Sequence, residues 1–209
     1  MKSGYTYLVY DLETTGLSAE KNAVCEIAMC AMDENLEDIG EYSSGIIKVY
    51  DDRIIDQKAL DHNGITREQL EKGRDGKEVA EETVKFIKSL KVSKSKLILC
   101  GQNIITFDNG HLDNFLDFFK KDLSKLVNND FFVDTLLWGR IKHIESENYQ
   151  LGTLCKNVGV TLTDAHRAIN DTKANKELVK KYIQSLRGNG QSTSQQAEPE
   201  ERHRVKFQF

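Results

Sequence analysis

Asp11 and Glu13 stand two residues apart, just ahead of Thr14-Thr15-Gly16. In an extended strand that spacing points both carboxylates to one side of the sheet. Two carboxylates held so close repel each other unless a cation joins them. An all-oxygen ligand set suits Mg²⁺ or Mn²⁺, ions that keep several waters and bind substrate phosphate as well as protein oxygen. The chemistry open to such a pair is metal-assisted attack on a phosphate ester. The pair also has a plainer reading, two solvated acids at a strand end, and the rest of the chain must decide. Asp108, Asp171 and His166, five residues before Asp171, are the other groups that bear on the choice.

The elements that carry these groups follow from periodicity. Residues 5–11 (YTYLVYD) are rich in aromatic and β-branched side chains and predict a buried strand ending where Thr14-Thr15-Gly16 turns. Residues 24–32 predict a second strand and residues 45–50 part of a third, with Asp33-Glu34-Asn35 as a turn. Val79, Val84, Phe86, Ile87 and Leu90 then recur at helical spacing, and residues 96–100 predict a fourth strand. Leu112, Phe115, Leu116, Phe119 and Leu123 mark an amphipathic helix, Phe131-Phe132-Val133 a short strand, and residues 168–186 a long terminal helix. Arg140 and Lys142 fall on a further helix. Strands first, then strand and helix in turn, predict an α/β fold, a mixed central sheet flanked by helices.

Composition narrows the class. A chain of 209 residues is long enough for one well-buried domain plus a tail. The formal net charge of −4 argues against affinity for nucleic acid through a basic surface alone. A site that recruits cations through clustered carboxylates escapes that objection. There is no basic segment followed by an apolar run at the start, and no stretch of about eighteen apolar residues, so a soluble cytoplasmic protein without a membrane span is expected. Cys25, Cys30, Cys100 and Cys155 form no C-x-x-C pair, and the first three lie inside apolar runs, which predicts buried free thiols in a reducing compartment. After Arg187 the composition turns to Gly, Asn, Gln, Ser and Thr. We therefore expect a catalytic domain over residues 1–187, a flexible linker over 188–200 and a terminal tail over 201–209.

D-x-E-T-T-G-L at Asp11, N-x₃-F-D ending at Asp108, and H-x₄-D from His166 to Asp171 occur in an order and at separations that resemble the DEDDh 3′→5′ exonucleases, the group containing the proofreading subunits of bacterial replicative polymerases. The resemblance covers about residues 5–187, with weaker matches at Gly64-Ile65-Thr66, Val133-Asp134-Thr135 and residues 151–159. It implies a ribonuclease H-like fold in which the four acids converge on one cleft. It implies two Mg²⁺ or Mn²⁺ ions, with Asp11 bridging both, Glu13 and Asp171 completing the tighter site, and Asp108 holding the second ion partly through water. His166 would take the proton from the attacking water, a task suited to an imidazole. Five residues at about 100° each would leave His166 and Asp171 roughly 140° apart on one helix, so His166 is expected in the loop before it. Thr14 and Leu17 follow the first motif where related enzymes contact the terminal nucleotide, through its 3′-hydroxyl and by an apolar wedge beside the last base. Leu17 as a buried core residue is the alternative. Phe107 is expected to pack beneath the site and Asp134 to brace local backbone.

Two departures from the family pattern stand out. Gln102 precedes Asn103 where His is common, with one extra residue before Phe107-Asp108, and Asn63 occupies a second position where His is common, with His62 beside it. The implied activity is removal of nucleotides from the 3′ end of single-stranded or frayed DNA, in proofreading or processing. RNA trimming and an inactive nucleic-acid-binding module are the alternatives, since the same carboxylates serve both sugars. Lys173, Lys176 and Lys180 form a helical stripe that either faces solvent or tracks phosphates. In the tail, His203, Val205, Phe207 and Phe209 alternate with polar residues, a strand-like pattern suited to docking on a polymerase or clamp; a terminus without a partner is the other reading.

Overall fold

A computed structural model of the chain describes residues 4–128 and 130–188. The expected linker, apart from Gly188, and the expected tail lie outside them. Five strands form one mixed sheet: β1 (Thr6–Thr14), β2 (Val24–Met32), β3 (Asp38–Ser43), β4 (Leu97–Gly101) and β5 (Phe132–Asp134). Their spatial order is β3-β2-β1-β4-β5, with β1 central, antiparallel to β2 and parallel to β4. The helices are α1 (Gln57–Asn63), α2 (Arg67–Glu71), α3 (Gly76–Ser89), α4 (Asp108–Phe118), α5 (Thr135–Lys142), α6 (Leu151–Asn157) and α7 (Ala168–Gly188).

The alternation of β1 sorts its side chains between two cores. Leu8, Tyr10 and Leu12 pack with Val79 and Ala80 of α3 and with Leu112 and Phe115 of α4. Tyr7 and Val9 face the other way, against Val179 and Ile183 of α7. Asp11 and Glu13 continue that odd-numbered row, so the strand's period of two sends both carboxylates to the α7 side. Strand β2 is buried along its whole length, which is why it reads as an almost unbroken apolar run.

Residues 45–50 are not a strand of the sheet. The third strand is β3, seven residues earlier, with the polar sequence DIGEYS and only partial burial, as suits a sheet edge. Polar residues on both faces of an edge strand leave no alternating signal to read. Ile47 in the expected segment is buried for a different reason: it bridges to Arg74 and joins the main core. The helix expected over residues 112–123 ends at Phe118, and Leu123 belongs to a separate short 3₁₀ turn. The turn at Asp33 forms as expected, its Oδ1 accepting the Asn35 and Glu37 amides at 2.9 and 3.0 Å. All four cysteines are free and buried. Among the described residues, no helix is long and apolar enough to cross a membrane.

Candidate active site

The cleft opens where the central strands end. Asp11 and Glu13 reach it from β1 and Asp171 from the first turn of α7, and ligand oxygens of these three residues lie within 4.8 Å of one another. Asp108 starts α4 on the neighbouring wall and is almost wholly buried. Its Oδ1 accepts the backbone amide of Leu12, the residue between the two β1 carboxylates, at 3.1 Å. One oxygen of Asp108 is thereby committed to holding β1, and the residue stands apart from the tight trio. His166 lies in the exposed loop before α7, in a left-handed conformation with φ of 70°, and its amide donates to Asp171 Oδ2 at 2.9 Å.

These acids are held in a strained electrostatic state. Burial, followed by repulsion from Asp171 and Glu26, pushes the Glu13 carboxyl up to about 8. Burial pushes Asp108 up to about 7, against the lowering effect of backbone hydrogen bonds. Asp11 is raised well above the ordinary carboxyl range by burial and then by Asp108 and Glu13, and Asp171 is raised chiefly by burial. Such a cluster fits a divalent cation, whose charge relieves both the burial cost and the repulsion. The donor set, all oxygen, matches a hard ion.

Two adjoining hollows share Asp11, His62, Phe107, His166 and Asp171 along their common wall. One continues past Thr14, Leu17 and Ala59, the other past Asp108, Gln102 and Gln150. Leu17 is 85% exposed at the mouth of the first, so it is not a core residue. Thr14 is buried and its hydroxyl donates to the Gly16 carbonyl at 2.8 Å. Phe107 lines the cleft, its ring tilted against that of His111 with centroids 4.4 Å apart. Asp134 braces backbone as expected, accepting the amides of Asn103, Ile105 and Leu136.

The two departures resolve into distinct roles. Asn63 is buried, donating to the Thr14 carbonyl at 3.2 Å and accepting the Ile65 amide at 3.1 Å, so it ties α1 to the first motif. His62 instead faces the cleft, its ring 4.4 Å from that of His166. Gln102 donates to the Tyr149 carbonyl at 2.8 Å and accepts from Thr135, anchoring the loop ahead of Asp108. The lysine stripe is spent on ion pairs: Lys173 with Glu41, Lys176 with Asp38 and Glu177, and Lys180 with the same two acids. Periodicity does not single out Glu26, directly opposite Glu13 in the β1–β2 register and 1% exposed, which pairs with Arg167. A lone charge in an otherwise apolar buried strand is the signal that marks it.

The comparisons with known proteins agree with this geometry. A family model described as Exonuclease matches residues 8–179. A DNA polymerase III PolC-type of Oceanobacillus iheyensis is 33% identical over 181 residues, covering 87% of this chain and 12% of the polymerase. The PolC-type polymerase of Bacillus subtilis is 30% identical over 187 residues, covering 88% and 12%. Among solved structures, E. coli exonuclease I in complex with a dT13 oligonucleotide superposes with a TM-score of 0.75 at 21% identity, over 88% of this chain and 42% of that one. The chain thus spans about an eighth of the polymerases' length and under half of the exonuclease I chain. A match that runs from β1 into α7, and so takes in all three acidic motifs, shows that this chain belongs to the exonuclease family, with a ribonuclease H-like fold.

Proposed function

We propose that the chain is a 3′→5′ exonuclease that hydrolyses the terminal phosphodiester of single-stranded or frayed DNA and releases nucleoside 5′-monophosphates. The observation that carries this reading is the convergence of Asp11, Glu13 and Asp171 within 4.8 Å, with His166 at the rim of the same cleft. Mg²⁺ or Mn²⁺, two ions on this reading, would suit the all-oxygen donor set and would be held by Asp11, Glu13, Asp171 and Asp108. When bound they neutralise the phosphate charge and acidify water. The exposed imidazole of His166 takes the proton as a water oxygen bonds to phosphorus and the P–O3′ bond breaks in line. On this reading Leu17 wedges beside the last base and Thr14 contacts the terminal nucleotide, which the exposure of Leu17 and the place of both residues along one hollow support.

Single-stranded DNA is favoured as substrate because the structural relative was crystallised with an oligodeoxynucleotide and the sequence relatives are DNA polymerases. A cytoplasmic setting fits the four buried free thiols. The expected domain division, 1–187 with a linker over 188–200 and a tail over 201–209 that docks on a polymerase or clamp, is part of the same reading. Digestion of matched 3′-labelled and 5′-labelled DNA and RNA strands with Mg²⁺ reports direction and sugar choice together. Release of labelled mononucleotide from the 3′ end of DNA is expected, and Asp11→Ala or Asp171→Ala should abolish it in a folded protein. Near-normal turnover by either variant would remove the metal site from the mechanism.

A further inference from the structure

Glu26 sits among the catalytic carboxylates without joining them. It lies directly across β1 and β2 from Glu13, on the face turned to α7, and it is 1% exposed. Both of its oxygens are taken. Oε2 accepts Arg167 Nε at 3.1 Å and the Ala168 amide at 3.3 Å, while Oε1 accepts a second guanidinium nitrogen at 2.9 Å. This two-pronged pairing fixes orientation as well as distance, which a single contact cannot do.

Arg167 is the residue directly after His166 and Ala168 begins α7, so Glu26 grips the chain at the point where it leaves the histidine. His166 holds a positive φ that a non-glycine residue keeps only when its surroundings impose it. The surroundings are visible: the Asp171 carboxylate takes the His166 amide, Asn170 Nδ2 closes the loop on the Asp164 carbonyl at 2.9 Å, and Glu26 clamps Arg167. Helix α7 does not depend on this clamp for its docking. Thr172 donates to the Ala28 carbonyl, Lys176 and Lys180 pair with Asp38, and Val179 and Ile183 pack on β1. What the clamp adds is control of the first turn and of the residue before it.

We propose that the Glu26–Arg167 pair positions His166 for proton transfer, an inference that rests on reading His166 as the general base. Neither residue touches the reacting atoms; both act through the histidine backbone.

Steady-state cleavage of a 3′-labelled DNA oligonucleotide with Mg²⁺ tests this on R167K, which keeps the charge and loses the fork, on R167A/E26Q, which removes both charges, on H166A, and on R167K/H166A. Thermal unfolding establishes which variants are folded, and the double variant serves if R167K is not. The clamp-deficient protein should lose about tenfold or more in kcat, with KM and the half-saturating Mg²⁺ concentration within about twofold of wild type, as for loss of a base worth ~10²–10⁴ in rate. In the H166A background R167K should cost nothing further, because the two act as one unit. Full kcat in R167K and R167A/E26Q overturns the proposal. So does a raised Mg²⁺ requirement, or a further loss in the H166A background, since the pair would then act through Asp171. If H166A itself turns over like wild type, the general-base reading fails and the clamp's role with it. Loss in H166A alone sinks only the clamp.

Discussion

At the scale of single residues, the site stores electrostatic strain that a cation relieves. Glu13 and Asp108, pushed up to about 8 and about 7, hold more protons in the folded protein than in the unfolded chain at neutral pH. A carboxyl raised on folding contributes stability below the ordinary carboxyl range and loses it as pH rises through the folded value. The metal-free protein should therefore lose thermal stability between about pH 5 and the Glu13 value of about 8, and Mg²⁺ should restore it most at the alkaline end, where the ligands are already deprotonated. Unfolding curves in chelator and in Mg²⁺ across that range check this, and a flat chelator profile would show that the carboxylates are not strained. Glu13→Gln should flatten much of the slope. His62 belongs to the same scale, since its ring contacts that of His166. His62→Ala should lower kcat by less than His166→Ala does, about threefold to tenfold against ~10² or more, and His62→Phe should recover much of the loss by restoring the ring contact. Equal loss in both His62 variants would assign the effect to hydrogen bonding instead.

At the scale of elements, Asp11 and Glu13 are placed by β1 and Asp171 by α7, while the loop leading into Asp108 is held in shape by a buried carboxylate. Asp134, at the end of β5 and the N-cap of α5, accepts three amides, two of them from the segment that leads into Asp108. Asn103 in that segment has φ of 58°, a conformation the Asp134 carboxylate stabilises by taking its amide. Asp134→Ala leaves those donors unmet and removes a helix cap, which should cost about 2 kcal/mol or more. Activity should fall with it, because Asp108 and the Leu12 amide it holds shift together. Denaturant unfolding and turnover measured on the same preparation check both effects; a destabilised protein with unchanged kcat would show that Asp108 is placed by α4 alone.

At the scale of the whole molecule, a chain of net charge −4 gathers its cation-seeking groups into one cleft. Its lysine stripe on α7 is paired with acids of β3 and of α7 itself; on the proposed function, steering of a polyanion would fall to the acidic cleft and its cations rather than to that helix. Deleting residues 189–209 should leave cleavage of short naked strands unchanged, since every residue of the cleft lies within the Exonuclease match over residues 8–179. Recruitment to a polymerase, a clamp or long DNA should weaken if the alternating segment from His203 to Phe209 docks there. Cleavage and binding compared for full-length and shortened chains, with and without those partners, check this, and identical behaviour throughout would leave the tail without a role.

The sequence alone marked the acidic motif residues that the fold brings to one cleft, and most of their scaffold. Motif spacing needs only the residues themselves, and the buried strands β1 and β2 and the amphipathic helices carry strong local patterns. Helical geometry already placed His166 ahead of α7, since five residues cannot bring it and Asp171 to one face. The edge strand β3 was not legible, because polar residues on both of its faces leave no alternation, while residues 45–50 are apolar because Ile47 packs in the main core. Tertiary structure decided the rest through contacts distant in the chain. It turned His62, not Asn63, toward His166, exposed Leu17, and paired Lys173, Lys176 and Lys180 with acids. It also set Glu26 against Arg167 across 141 positions of chain, a pairing no local pattern announces, because burial of a carboxylate becomes tolerable only once the fold delivers its partner.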